Sequence, residues 1–85
     1  MSAVALLVRF TTAHRTFERC LENQPYHVYK PKGMYTYKQV VYLRDALTAS
    51  VNNALLQAEA QDSNFLDKVP DDIRQYLVDN DFLPR

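Results

Sequence analysis

One glycine, one cysteine and no tryptophan stand among the 85 residues of this sequence. A single glycine rules out a glycine-rich phosphate loop, in which several are needed for backbone N–H groups to close around an anion. A single cysteine, Cys20, rules out an internal disulfide and any multi-cysteine zinc site. No apolar run approaches the roughly 18 to 20 residues of a membrane-spanning helix. The leading stretch MSAVALLV has no basic segment before it and no small-residue cleavage site close behind, so a secretory signal is not expected. Together these absences point to an intracellular, cytoplasmic protein that carries no cofactor.

What is present suffices for folding. Hydrophobic residues make up 47% of the chain and charged residues 24%, as in globular proteins and unlike disordered ones. The length predicts one small helical domain over residues 1–85. Chains below roughly 70 to 80 residues rarely draw more than about 3 to 5 kcal/mol from a single core, and this chain is only slightly longer, so close helix packing or self-association is expected to supplement its core.

The net charge is zero but unevenly laid out. Up to Arg44 the chain carries Arg9, Arg15, Arg19, Lys30, Lys32, Lys38 and Arg44 against only Glu18 and Glu22. From Glu59 onward it carries six aspartates, Asp62, Asp67, Asp71, Asp72, Asp79 and Asp81, against Lys68, Arg74 and Arg85. A basic front and an acidic tail can compensate each other within the fold or between copies, or the front can face an acidic partner.

Apolar residues at steps of three and four predict the fold class: all-α, two long antiparallel helices over about 3–22 and 37–60, and a short C-terminal helix over about 70–79. In the first helix Leu6, Phe10, Ala13, Phe17 and Leu21 form the expected buried stripe, with Cys20 joining it as a small core residue. Val4 and Val8 fall off that stripe, so the first two turns need cover on two sides or form a short strand. The basic, hydroxyl-containing start also has the composition of a mitochondrial transit peptide, which makes a mitochondrial location the alternative. Asn23, Gln24 and Pro25 stop the helix.

The connection from Tyr26 to Gln39 carries Tyr26, Tyr29, Tyr35, Tyr37, Lys30, Lys32, Lys38, Pro31 and Gly33, and predicts a loop or a small hairpin around Lys30–Gly33. Thr36 with Gln39 has the spacing of a helix-capping pair. In the second helix Val40, Leu43, Leu47, Val51, Ala54 and Ala58 form the main stripe. A weaker one, Tyr42, Ala49, Leu56 and Ala60, lies nearly opposite; it is covered by the C-terminal segment or serves as an oligomer interface. Asp62 or Ser63 can cap a short turn through Phe65, Leu66 and Val69. Pro70 sits at a first helical position, and Asp71 and Asp72 suit a helix N-terminus. Ile73, Tyr76 and Leu77 form the last buried face, with Phe82 and Leu83 folding back.

Catalysis finds no support in the pattern. His14 and Cys20 lie six residues apart, about 120° around a helix, and His27 lies beyond the turn. The aspartates lack the alternating spacing and central glycine of a calcium loop, so no metal site is expected. The leading expectation is a non-catalytic protein-interaction module, such as a small adaptor, inhibitor or accessory subunit. It binds another protein or itself, as a homo-oligomer, through the weaker stripe of the second helix. Partner-binding candidates are Tyr26, His27, Tyr29, Lys30, Lys32, Tyr35 and Lys38, because tyrosines combine apolar area with a polar handle. The alternative is a nucleic-acid-binding regulator that uses the basic aromatic loop 26–38, rings for bases and lysines for phosphates. Three lysines give a salt slope of only about −2 to −3, which corresponds to weak binding.

Overall fold

The computed structural model describes residues 2–23 and 36–84. It is all-α, as the periodicity requires. Helix α1 spans Ala3–Asn23 and helix α2 spans Tyr37–Gln61, the two packing along each other as a helical hairpin; a 3-10 turn, Phe65–Lys68, leads into helix α3, Asp71–Asp79. The loop or hairpin expected between the long helices falls on residues 24–35, outside the described residues.

Local chemistry sets the helix ends. The Ala5 N–H donates to Ser2 Oγ at 3.1 Å and the Leu6 N–H to the Ser2 carbonyl at 3.0 Å, so α1 has a serine cap and its first two turns are helix rather than strand. At α2 the capping pair forms in full: the Gln39 N–H donates to Thr36 Oγ1 at 3.1 Å, and the Thr36 N–H donates to Gln39 Oε1 at 3.0 Å. Asp62 closes α2 and begins the turn, its carboxylate accepting from the Asn64 N–H and from Lys68 Nζ. The hydrogen bond from Lys68, more than any other contact, holds the Asp62 carboxyl pKa below its ordinary value. Pro70 stands one position earlier than expected. Its ψ of 146° is extended, so it precedes α3 as the cap residue and the helix begins at Asp71.

The end of α3 is a reversal built on Asp81, whose φ of 64° lies in the left-handed region. The Phe82 N–H donates to the Leu77 carbonyl at 2.9 Å and the Asp81 N–H to the Val78 carbonyl at 3.2 Å. These are the two hydrogen bonds of a Schellman ending, and they turn Phe82 and Leu83 back onto the body as expected.

The core comprises Ala3 and Leu7 of α1, Val51, Ala54, Leu55 and Ala58 of α2, and Phe65, Val69, Ile73 and Leu77 of the C-terminal segment. The α2 stripe is therefore buried at Val40, Val51, Ala54 and Ala58, while Leu43 and Leu47 are half-buried. On α1 the expected stripe is displaced. Its fully covered line is Ala3, Leu7, Thr11 and His14, whereas Leu6, Phe10, Phe17 and Leu21 are half-buried and Ala13 and Cys20 are exposed.

The reason for this displacement is geometric. α1 touches both α2 and α3, and complete burial falls where the two neighbours meet rather than where the apolar residues are densest. Ala13 lies about 200° around α1 from Arg15, which reaches Asp72 of α3, so among the described residues the far side has no third layer. There Ala13, Thr16, Phe17 and Cys20 face Leu43 and Leu47 across an open groove of about 460 Å³. A nine-residue α3 is about 13 Å long and cannot cover a body 44 Å in length. The Arg15–Asp72 pair, 3.3 Å, closes part of the front-to-tail charge separation within the fold.

Candidate functional site

Of the partner-binding candidates, Tyr26, His27, Tyr29, Lys30, Lys32 and Tyr35 lie outside the described residues; Lys38 is exposed on the first turn of α2. The oligomer-interface candidates Tyr42, Ala49, Leu56 and Ala60 are all exposed. The C-terminal segment does not cover them, because its buried residues pack with those of α1 and the inner face of α2.

The helix completes this set into a continuous row. Ala46 and Asn53 are also exposed, and Tyr42, Ala46, Ala49, Asn53, Leu56 and Ala60 follow at steps of four, three, four, three and four. At about 100° per residue all six fall within about 40° of one line, and Val51, fully buried, stands about 180° from Tyr42. The row is thus the outer face of α2, opposite the core. Among the described residues, the large hydrophobic side chains left exposed are Tyr37 at 70%, Val41 at 40%, Tyr42 at 72% and Leu56 at 66%, all on α2. Tyr42, Ala49 and Leu56 stand seven residues apart, and the four-three alternation, present in the sequence itself, adds Ala46 and Asn53 to the expected stripe. Beside Leu56 lies a cleft of about 340 Å³ that Glu59, Phe65, Phe82, Leu83 and Pro84 help to line.

A second constellation has no counterpart in the sequence pattern. His14 is buried at the meeting of all three helices, with Nδ1 2.6 Å from the Tyr76 hydroxyl and Nε2 3.4 Å from Thr48 Oγ1. The Tyr76 and Phe82 rings stand edge-on to it, centroids 5.7 and 5.3 Å away. A neutral imidazole offers one donor and one acceptor nitrogen, and two hydroxyls that can each donate or accept answer either tautomer. Burial is the largest influence on His14 and lowers its pKa; Glu18 works against that shift and Arg44 with it. Burial likewise raises the Tyr76 phenol. Arg44 grips Glu18 through two hydrogen bonds, 2.8 and 3.3 Å, above this junction.

Chemically the junction is a clamp. His14 is committed to two hydroxyls, and Cys20, expected to be a small core residue, is exposed farther along α1. Four of the aspartates are engaged: Asp62 with Lys68, Asp71 with Arg74 and Asp79 with Gln75 close by in the chain, and Asp72 with Arg15 of α1. Among the described residues no three His, Cys, Asp or Glu side chains converge as a metal site would need, and no helix is long and apolar enough to cross a membrane.

Among the described residues these features make three α-helices: a helical hairpin with a short third helix clamped to one side and an exposed apolar row on the outer face of α2. Compared with known proteins, the chain matches no family model, no curated protein and no solved structure.

Proposed function

We propose that this chain is a non-catalytic protein-interaction module that associates with itself through the outer face of α2. The observation that carries the reading is the exposed row anchored by Tyr42 and Leu56. A helix in a monomer ordinarily keeps a polar stripe on the side opposite its core. Here Tyr42, Ala46, Ala49, Leu56 and Ala60 occupy that stripe, with Asn53 the polar member. Regular four-three spacing is what a helix needs to keep a straight seam against a second helix. The buried, hydroxyl-bound His14 supports a structural rather than a chemical role for that side chain.

Sedimentation equilibrium across micromolar to millimolar concentration tests the reading. The wild-type chain is expected to show a reversible dimer, and Leu56→Asp to shift it to monomer while keeping its helical circular-dichroism spectrum, since Leu56 contributes little to the core. A wild-type protein that is monomeric throughout refutes the reading.

A further inference from the structure

The row is complementary to itself when read backwards. We propose, resting on self-association through this face, that two copies pair their α2 helices antiparallel. Tyr42 of one copy then lies over Ala60 of the other, Ala46 over Leu56, and Ala49 over Asn53. The three layers follow from one register, because each pair of residue numbers is symmetric about position 51. Every layer joins a large side chain to a small one: tyrosine to alanine, leucine to alanine, asparagine to alanine. Such alternation lets facing side chains interdigitate at a constant helix separation. A parallel pair stacks Tyr42 on Tyr42 and Leu56 on Leu56 but leaves Ala46, Ala49 and Ala60 facing alanine across gaps, and gaps forfeit dispersion contacts.

Charge favours the same orientation. Lys38 stands at the N-terminal end of α2, and Glu59, Asp62 and Asp67 at or just beyond its C-terminal end. Antiparallel pairing brings Lys38 alongside the acidic end of the second copy, whereas parallel pairing brings like ends together. The like-charge approach it creates, Asp45 near Glu59 of the second copy, lies at the exposed rim where salt screens it. The row is about 27 Å long and one helix wide, at the low end of interface size, so the dimer is a reversible one.

Spin labels on Tyr37→Cys in a Cys20→Ser background decide the orientation, because Tyr37 lies outside the row. Antiparallel pairing separates the two labels by about 28 residues of helix rise, roughly 42 Å, whereas parallel pairing holds them within about 30 Å. A second measurement uses oxidation. A mixture of Ala46→Cys and Leu56→Cys chains, both Cys20→Ser, is expected to give the mixed disulfide, while Ala46→Cys alone gives none above a monomeric control. A short label distance together with an Ala46→Cys homodisulfide overturns the antiparallel register and leaves self-association standing. If sedimentation of the labelled chain and of the wild type shows only monomer, self-association itself falls.

Discussion

Removing the hydroxyl of Tyr76 tests whether the three-helix junction is held as the geometry indicates. In Tyr76→Phe the ring and its edge contact with His14 remain, and the atom 2.6 Å from His14 Nδ1 is lost. A buried polar group left without its partner costs about 1 to 3 kcal/mol. Tyr76 is only half-buried, so water reaches part of the vacated space and the lower half of that range, about 1 to 2 kcal/mol, applies. A domain of 85 residues holds about 4 to 13 kcal/mol in total. The substitution therefore lowers Tm by about 4 to 16 °C, at about 4 to 8 °C per kcal/mol for a chain of this size.

Thermal unfolding followed by circular dichroism at pH values on both sides of the histidine range is the assay, and pH supplies a second arm. Because burial lowers the His14 pKa in the folded state, the unfolded chain binds more protons over the interval between the two values. Stability is then highest above the ordinary histidine value of about 6.5 and declines as pH falls from there through the folded value. His14→Gln, which cannot titrate, removes that part of the decline. If Tyr76→Phe melts within about 2 °C of wild type, less than the shift expected from about 1 kcal/mol, or if wild-type and His14→Gln proteins show the same pH profile, the clamp is refuted.

Two further outcomes follow from the core. Thr11 is fully buried and its Oγ1 has no hydrogen-bond partner among the described residues, so Thr11→Val, which keeps the shape and removes the unanswered hydroxyl, is expected to stabilise by about 1 kcal/mol in urea unfolding. Leu77, also fully buried, anchors α3 to the hairpin; Leu77→Ala is expected to cost about 2 to 5 kcal/mol, and hydrogen exchange should show the amides of α3 losing more protection than those of α1 and α2.

The candidate surface was only partly legible in advance. The exposed stripe of Tyr42, Ala49, Leu56 and Ala60 could be named because an apolar residue opposite a helix's main stripe stands out by spacing alone. Whether the C-terminal segment covered it depended on where α3 packed. The His14 junction was illegible for a different reason. Its partners Thr48 and Tyr76 are 34 and 62 residues away, and no spacing rule connects a histidine in one helix to hydroxyls in two others.

Local chemistry was settled by the sequence. The extents of α1, α2 and α3, the Thr36–Gln39 cap, the apolar line through Val40, Val51, Ala54 and Ala58, and the return of Phe82 and Leu83 all depend on residues a few positions apart, whose interactions are set by helix period and short-range hydrogen bonding. The tertiary structure alone decided which side of α1 is buried. Leu6, Phe10, Phe17 and Leu21 make the more apolar side, yet Ala3, Leu7, Thr11 and His14 are covered, because burial at any position depends on how many neighbours reach it. The third helix reaches α1 only on the side of His14 and Arg15.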